Sequence, residues 1–304
     1  MILAPLHLRA LFALSLLPVF SLLPICSSGA MRISVVTGSN KGIGLAIIKK
    51  LAHAPGHLCV LTSRNPALGQ KAADDLKAEG LDSVVVKQLD IGDPASVERF
   101  TSELEQEYGR VDILVNNAGI CFKGSDPTPF KDQAEPTLKT NFFDTVAFTE
   151  KLLPLVRKSS AGRIVNMASM TGHLSILESR GQRDAFTDPG LTKEKLSSLM
   201  TQFVADVKAG KYRQGGWPGI NYGMSKLGLI AYSIVAARVE QEAGSNVLVN
   251  ACCPGYVITD LTSGGGMLTT EEGARTPFMV TQLKNLEEGG HTGRFFRNEA
   301  PVVW

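Results

Sequence analysis

From Met31 onward, short apolar runs alternate with longer stretches of helical period. Six apolar runs are too short for helices and read as buried strands: Arg32–Thr37, Leu58–Ser63, Val84–Leu89, Val111–Val115, Arg163–Met167 and Val247–Ala251. A further strand near Gly293–Phe296 closes the series. Between them, Ile43–Ala54, Ala67–Glu79, Asp132–Val156 and Tyr222–Ala243 read as helices. Another opens at Asp93-Pro94, a capping residue followed by a first-turn proline, and runs to about Tyr108. Such alternation predicts the α/β class: a doubly wound, Rossmann-type parallel sheet with helices on both faces. Residues 170–218 interrupt the pattern with turn signals, an amphipathic patch at Leu191–Gly210 and Gly215-Gly216-Trp217-Pro218. They read as a helical insertion before Tyr222. No internal repeat or linker divides residues 31–304, so one domain is expected there.

Residues 1–30 follow another logic. They hold one basic residue, Arg9, and no acid, and Leu11–Cys26 is nearly all apolar. Ser28 and Ala30 stand at the −3 and −1 positions of a cleavage site before Met31. One reading is a secretory signal or short anchor. The other takes Met31 as the working start and the cytoplasm as the compartment. The run is short for a span and contains Pro18 and Pro24, so no stable membrane insertion of the domain is expected.

Composition narrows the classes. The 304 residues are 44% hydrophobic and 20% charged, with net charge +2, so a nucleic-acid partner has no basic footprint to meet. Five Cys without a CxxC and five scattered His without HExxH spacing point away from a zinc ribbon or metal catalysis. Cys121 and Cys253 read as small buried side chains, with a reactive thiol as the alternative.

Chemistry begins at Thr37-Gly38-Ser39-Asn40-Lys41-Gly42-Ile43-Gly44, between the first strand and the first helix. Glycines there allow a sharp turn and close approach of a pyrophosphate, and the helix start offers unpaired N–H groups. The second strand ends in Thr62-Ser63-Arg64-Asn65, with Arg64 20 residues after Gly44. A carboxylate there would favour NAD. A guanidinium suits a ribose 2′-phosphate, and Lys41 is a second cation on the same side, so NADPH/NADP is the expected cofactor.

Tyr222 and Lys226 are four residues apart at a helix start and face the same way. A nearby ammonium is expected to lower the phenol's pKa toward working pH, making Tyr222 a usable proton donor. Ser169 follows the fifth strand, and Asn116-Asn117-Ala118-Gly119 ends the fourth, both at the carboxyl edge where such sheets bind ligands. Asn141 lies in the next helix. Gly223-Met224-Ser225-Lys226-Leu227 departs from the G-x-S-x-G elbow at its last position and follows no strand, so it is not a hydrolase nucleophile.

These motifs together resemble the short-chain dehydrogenase/reductase family, and within it the monomeric NADPH-dependent carbonyl reductases. The subgroup is suggested by Asn40-Lys41, Arg64, Asp126–Phe143, Gly216-Trp217-Pro218 and Ala251-Cys252-Cys253-Pro254-Gly255, and by the 53 positions between Ser169 and Tyr222. The resemblance implies that Tyr222 protonates the substrate oxygen, Ser169 hydrogen-bonds it, Lys226 holds the nicotinamide ribose and tunes Tyr222, and Asn141 anchors a relay water. It also implies that Asn116 and the Asp90-Ile91 turn border the adenosine half, and that Val257 and Thr259 meet the nicotinamide end. The insertion would cover helices that other members use to dimerise, which implies a monomer. The expected substrates are small carbonyl compounds: aldehydes, ketones or quinones. An NADP-dependent alcohol, hydroxysteroid or prostaglandin dehydrogenase and an idle nucleotide-binding protein are the alternatives. Ala168 and Ile258 depart from the subgroup, which often has Ser and Arg there, and leave substrate choice open.

Overall fold

The structure is a computed structural model and describes residues 31–304. The signal-like reading of residues 1–30 lies outside the described residues. Among the described residues, eight strands form one sheet in the order β3-β2-β1-β4-β5-β6-β7-β8. They are β1 (Arg32–Val36), β2 (His57–Ser63), β3 (Val84–Gln88), β4 (Ile113–Asn116), β5 (Arg163–Met167), β6 (Leu248–Cys253), β7 (Phe295–Arg297) and β8 (Ala300–Val302). All neighbours are parallel except β7 and β8.

The continuous apolar runs arise because the sheet is covered on both faces. Alternate residues of one strand enter different cores. Val35 packs with Phe100, Phe148 and Leu227, whereas Val36 packs with Ile47, Leu51 and Leu76. The first group comes from α3 (Pro94–Tyr108), α5 (Thr145–Arg157) and α8 (Asn221–Glu242). The second comes from α1 (Gly42–His53) and α2 (Pro66–Ala78).

Strand order reverses between β1 and β4, where Val36 pairs with Val115. The loops beyond their carboxyl ends diverge there and open a crevice.

Two features depart from the sequence pattern. The helix expected over Asp132–Val156 is divided into α4 (Phe130–Leu138), a π turn at Lys139–Asp144, and α5. Asn141 sits in that turn. Its side chain accepts from Ile120 N at 2.8 Å and donates to Ile120 O at 2.8 Å, clamping the helix to the loop after β4. The second feature is β8, which adds an antiparallel edge through a turn whose Asn298 and Glu299 both have positive φ (50° and 61°).

Between β5 and α8 lie α6 (Arg180–Thr187) and α7 (Lys193–Lys208). Helix α7 packs on α4 and α8. Trp217, 1% exposed, contacts Phe186 and Phe203 edge-on and donates its indole N–H to Asp206 at 2.8 Å. Lys193 Nζ lies 2.6 Å from the Glu150 carboxylate, which also accepts from the Tyr232 hydroxyl at 2.6 Å. Among the described residues no helix is long and apolar enough to cross a membrane. The remaining short helices, α9 (Thr270–Gly273) and α10 (Arg275–Thr281), border α1.

Candidate active site

A crevice of about 510 Å³ runs along the carboxyl edge of the sheet. Its floor begins with the turn between β1 and α1. Gly38 and Gly42 have φ of 61° and 59°, which side chains rarely adopt. Gly44 is held by space: a Cβ there would stand 2.5 Å from Asn117 Nδ2 and 2.8 Å from Gly38 O. Lys41 caps α1 with its backbone only, and the first turn carries no acid, so the N–H groups there face the crevice without a side-chain partner. A cradle that rejects a methyl group, an uncapped helix start and Arg64 at the same rim fit the phosphates and ribose of a dinucleotide.

Of the residues expected at the site, Gly38, Asn40, Lys41, Gly42, Ile43, Gly44, Arg64, Asp90, Ile91, Tyr222, Lys226 and Thr259 line this crevice together. Asp90 is fixed by accepting from Gly92 N at 2.9 Å. The others stand back from it. Ser39 is buried, and its hydroxyl donates to Val36 O at 2.7 Å and accepts from Thr62 N at 2.9 Å, tying β1 to β2. Val257 is 2% exposed and packs against Gly273, because its strand-like bridge to Leu268 turns it inward.

Asn116 requires a correction. It is the last residue of β4, and the pleat turns it away from the cleft. Its amide donates to Thr149 Oγ1 at 2.8 Å and Asn166 Oδ1 at 2.7 Å inside the core. The next residue, Asn117, lines the crevice. Asn117 Nδ2 donates to Thr37 O at 2.9 Å and Gly38 O at 3.1 Å, while Thr37 Oγ1 accepts from Asn117 N and Ala118 N, both at 2.9 Å. Asn117 thus pins the glycine turn. Only strand register distinguishes the two asparagines. Asp260, absent from the sequence expectations, lines the cleft and lies 2.6 Å from Lys41 Nζ.

The Tyr222 and Lys226 side chains project from the first turns of α8. Lys226 is 5% exposed and donates to Met167 O at 2.7 Å, and its ammonium sits 5.5 Å from the centre of the Tyr222 ring. A methyl group at Gly119 would be 3.1 Å from Asn141 Oδ1 and 3.7 Å from Lys226 Nζ, so Gly119 leaves room for both. Asn141 also donates to Ser225 Oγ at 3.1 Å, which commits its side chain to the loop after β4 and to α8. A water held by Asn141 would therefore use its main chain.

Burial moves both proton carriers. It lowers Lys226 to about 8, partly offset by nearby Cys121, Cys252 and Cys253. It pushes the Tyr222 phenol above its ordinary value, with Cys121 and Cys253 adding to the rise. The expected lowering of Tyr222 is not met: loss of water on burial raises the phenol instead.

Ser169 caps the short turn Met170–Gly172 and stands just outside the lining of the crevice. Its Oγ accepts from Thr171 N at 3.2 Å and Thr171 Oγ1 at 2.9 Å, leaving its own O–H free to donate. Ala168 and Ile258 line the cleft, and Ile258 is 48% exposed. Cys253 is buried and Cys121 half-buried, its thiol raised by burial against the pull of Lys226.

This fold and this crevice define a nucleotide-binding oxidoreductase, and the chain belongs to the short chain dehydrogenase family, whose pattern matches residues 32–179. It is 43% identical over 280 residues to NADPH carbonyl reductase 1 of Bos taurus, covering 91% of this chain and 100% of that protein. NADPH carbonyl reductase 3 of Mus musculus is 41% identical over 280 residues, with the same coverage. Among solved structures, salutaridine reductase from Papaver somniferum superposes with a TM-score of 0.78 at 31% identity, over 87% of this chain and 99% of that one.

Proposed function

We propose that this chain reduces aldehydes, ketones or quinones to alcohols with NADPH. The observation that carries the reading is the meeting of Tyr222 and Lys226 with the glycine turn and Arg64 in one crevice. The names of the relatives, both NADPH carbonyl reductases, support the same cofactor and reaction.

Gly38, Asn40, Lys41, Gly42, Ile43 and Gly44 would hold the pyrophosphate, Arg64 and Lys41 the 2′-phosphate, and Asp90, Ile91 and Asn117 the adenosine side. Thr259 would meet the nicotinamide end. The hydride chemistry belongs to the bound dinucleotide. Tyr222, raised by burial, keeps its proton, the state a donor needs, and delivers it to the substrate oxygen. Ser169 donates a hydrogen bond to that oxygen through its free O–H. Lys226 stabilises the phenolate left behind and is a hydrogen-bond donor to the nicotinamide ribose. Asn141 acts as a positioning residue, holding the loop after β4 against α8.

The cover that α7 lays over α4 and α8 supports a monomer. The compartment depends on residues 1–30: translation from Met31 leaves the enzyme in the cytoplasm, and a working leader sends it to the secretory pathway. N-terminal sequencing of the native protein distinguishes the two.

Loss of NADPH absorbance with a small quinone or aromatic aldehyde tests the reaction. Wild type should turn over, and Tyr222→Phe should fall about 10²- to 10⁴-fold with NADPH binding retained. No turnover across a broad carbonyl panel removes the proposed activity, and a fully active Tyr222→Phe removes its proton donor.

A further inference from the structure

Lys41 is already occupied. Its ammonium lies 2.6 Å from Asp260 Oδ2, so the cation assigned above to the ribose phosphate is paired within the chain. The pair joins two loops that both line the crevice. Lys41 stands between β1 and α1, and Asp260 opens the turn that follows β6. Both residues line the same cavity. The loops also touch beside the pair, where a methyl group at Gly42 would sit 3.6 Å from Thr259 Cγ2. The hydrogen bond from Lys41 holds the Asp260 carboxyl below the usual carboxylate range, and Lys123 adds to the effect.

The two side chains are 68% and 78% exposed, so the contact is screened and easily exchanged. A phosphate monoester carries close to two charges and three acceptor oxygens, and it competes well with one carboxylate for an ammonium. A dinucleotide lacking that phosphate offers Lys41 no such replacement.

We propose that Asp260 is a positioning residue for cofactor choice: it holds Lys41 in the free cleft, yields it to the 2′-phosphate of NADPH, and takes it back as NADP leaves. This rests on the assignment of Lys41 to the phosphate. The pair then weakens binding of the phosphorylated dinucleotide and speeds its release, while NADH binding is untouched.

Titration of the full chain with NADPH and with NADH at low ionic strength, followed by nicotinamide fluorescence, tests this in wild type, Asp260→Asn, Lys41→Ala and the double variant. Asp260→Asn should tighten NADPH about two- to fivefold and slow its dissociation in stopped flow, leaving NADH unchanged. The gain should vanish in the Lys41→Ala background and shrink with added salt. Asp260→Glu, which keeps the charge, should behave as wild type. Unchanged NADPH affinity in Asp260→Asn, an equal gain for NADH, or a gain that survives without Lys41 overturns the proposal. Lys41→Ala alone separates the two levels. If it leaves the NADPH-to-NADH affinity ratio untouched, the phosphate assignment of Lys41 falls. If it lowers that ratio while Asp260→Asn is silent, only the role of Asp260 falls.

Discussion

Lys226 holds its ammonium 5.5 Å from the centre of the Tyr222 ring while donating to the Met167 carbonyl at 2.7 Å. The last residue of β5 thus anchors the base of the α8 pair, and the sheet edge and the helix share one charged group in a nearly dry place. That arrangement has a pH consequence. The unfolded chain keeps the Lys226 proton up to about 10.5, and the folded cleft keeps it only to about 8. Between those values the unfolded state binds more protons, so stability rises with pH, by up to about 3 kcal/mol. Below pH 8 the full penalty of the buried ammonium is present. Lys226→Met should lack the rise. Urea unfolding of both proteins below pH 8 and above pH 10 measures it, and a constant difference between them would falsify the assignment.

Arg64 should govern cofactor choice. Arg64→Asp would remove the proposed charge-assisted contact to the 2′-phosphate and introduce repulsion, so NADPH affinity should drop about ten- to a hundredfold. NADH affinity should hold or improve. Dissociation constants for both dinucleotides check this, and an unchanged ratio counts against NADP selection at this position.

The two adjacent asparagines should separate stability from binding. Asn116→Ala strands Asn166 Oδ1 in the core and should destabilise by about 1–3 kcal/mol. Asn117→Ala unpins the glycine turn and should weaken NADPH about tenfold through lost preorganisation. Chemical denaturation paired with NADPH titration reads both effects. The reverse assignment of effects would mean that the wrong asparagine has been placed at the cleft.

Gly44→Ala should be poorly tolerated, because the new methyl meets Asn117 Nδ2 at 2.5 Å and main-chain atoms at 2.8 Å. The expected loss is about 1–3 kcal/mol of stability. Thermal unfolding with and without NADPH should show a lower Tm and a smaller shift on adding the dinucleotide. A wild-type response would mean that the turn relaxes at no cost.

Much of the architecture was legible in residue order, because strands buried on both faces must be uniformly apolar and helices between them must carry a stripe. The boundaries of β5 and of the helix from Pro94 to Tyr108 follow directly from that rule. The π turn at Asn141 did not show, since its cause is a pair of hydrogen bonds to Ile120, 21 residues away. The β7–β8 turn was hidden for a different reason. Glu299 adopts a left-handed conformation that its residue type disfavours, and the turn persists because the flanking strands pair.

Sequence alone determined the glycine turn, the placing of Arg64 at the end of β2 and the one-turn spacing of Tyr222 and Lys226, because each is a local pattern whose geometry follows from the backbone next to it. Tertiary structure decided which of two adjacent asparagines faces the cleft, that burial raises the Tyr222 phenol, and that Lys41 meets Asp260, 219 residues away. Those outcomes depend on strand register, on exclusion of water and on loop closure, and none of the three is a property of neighbouring residues.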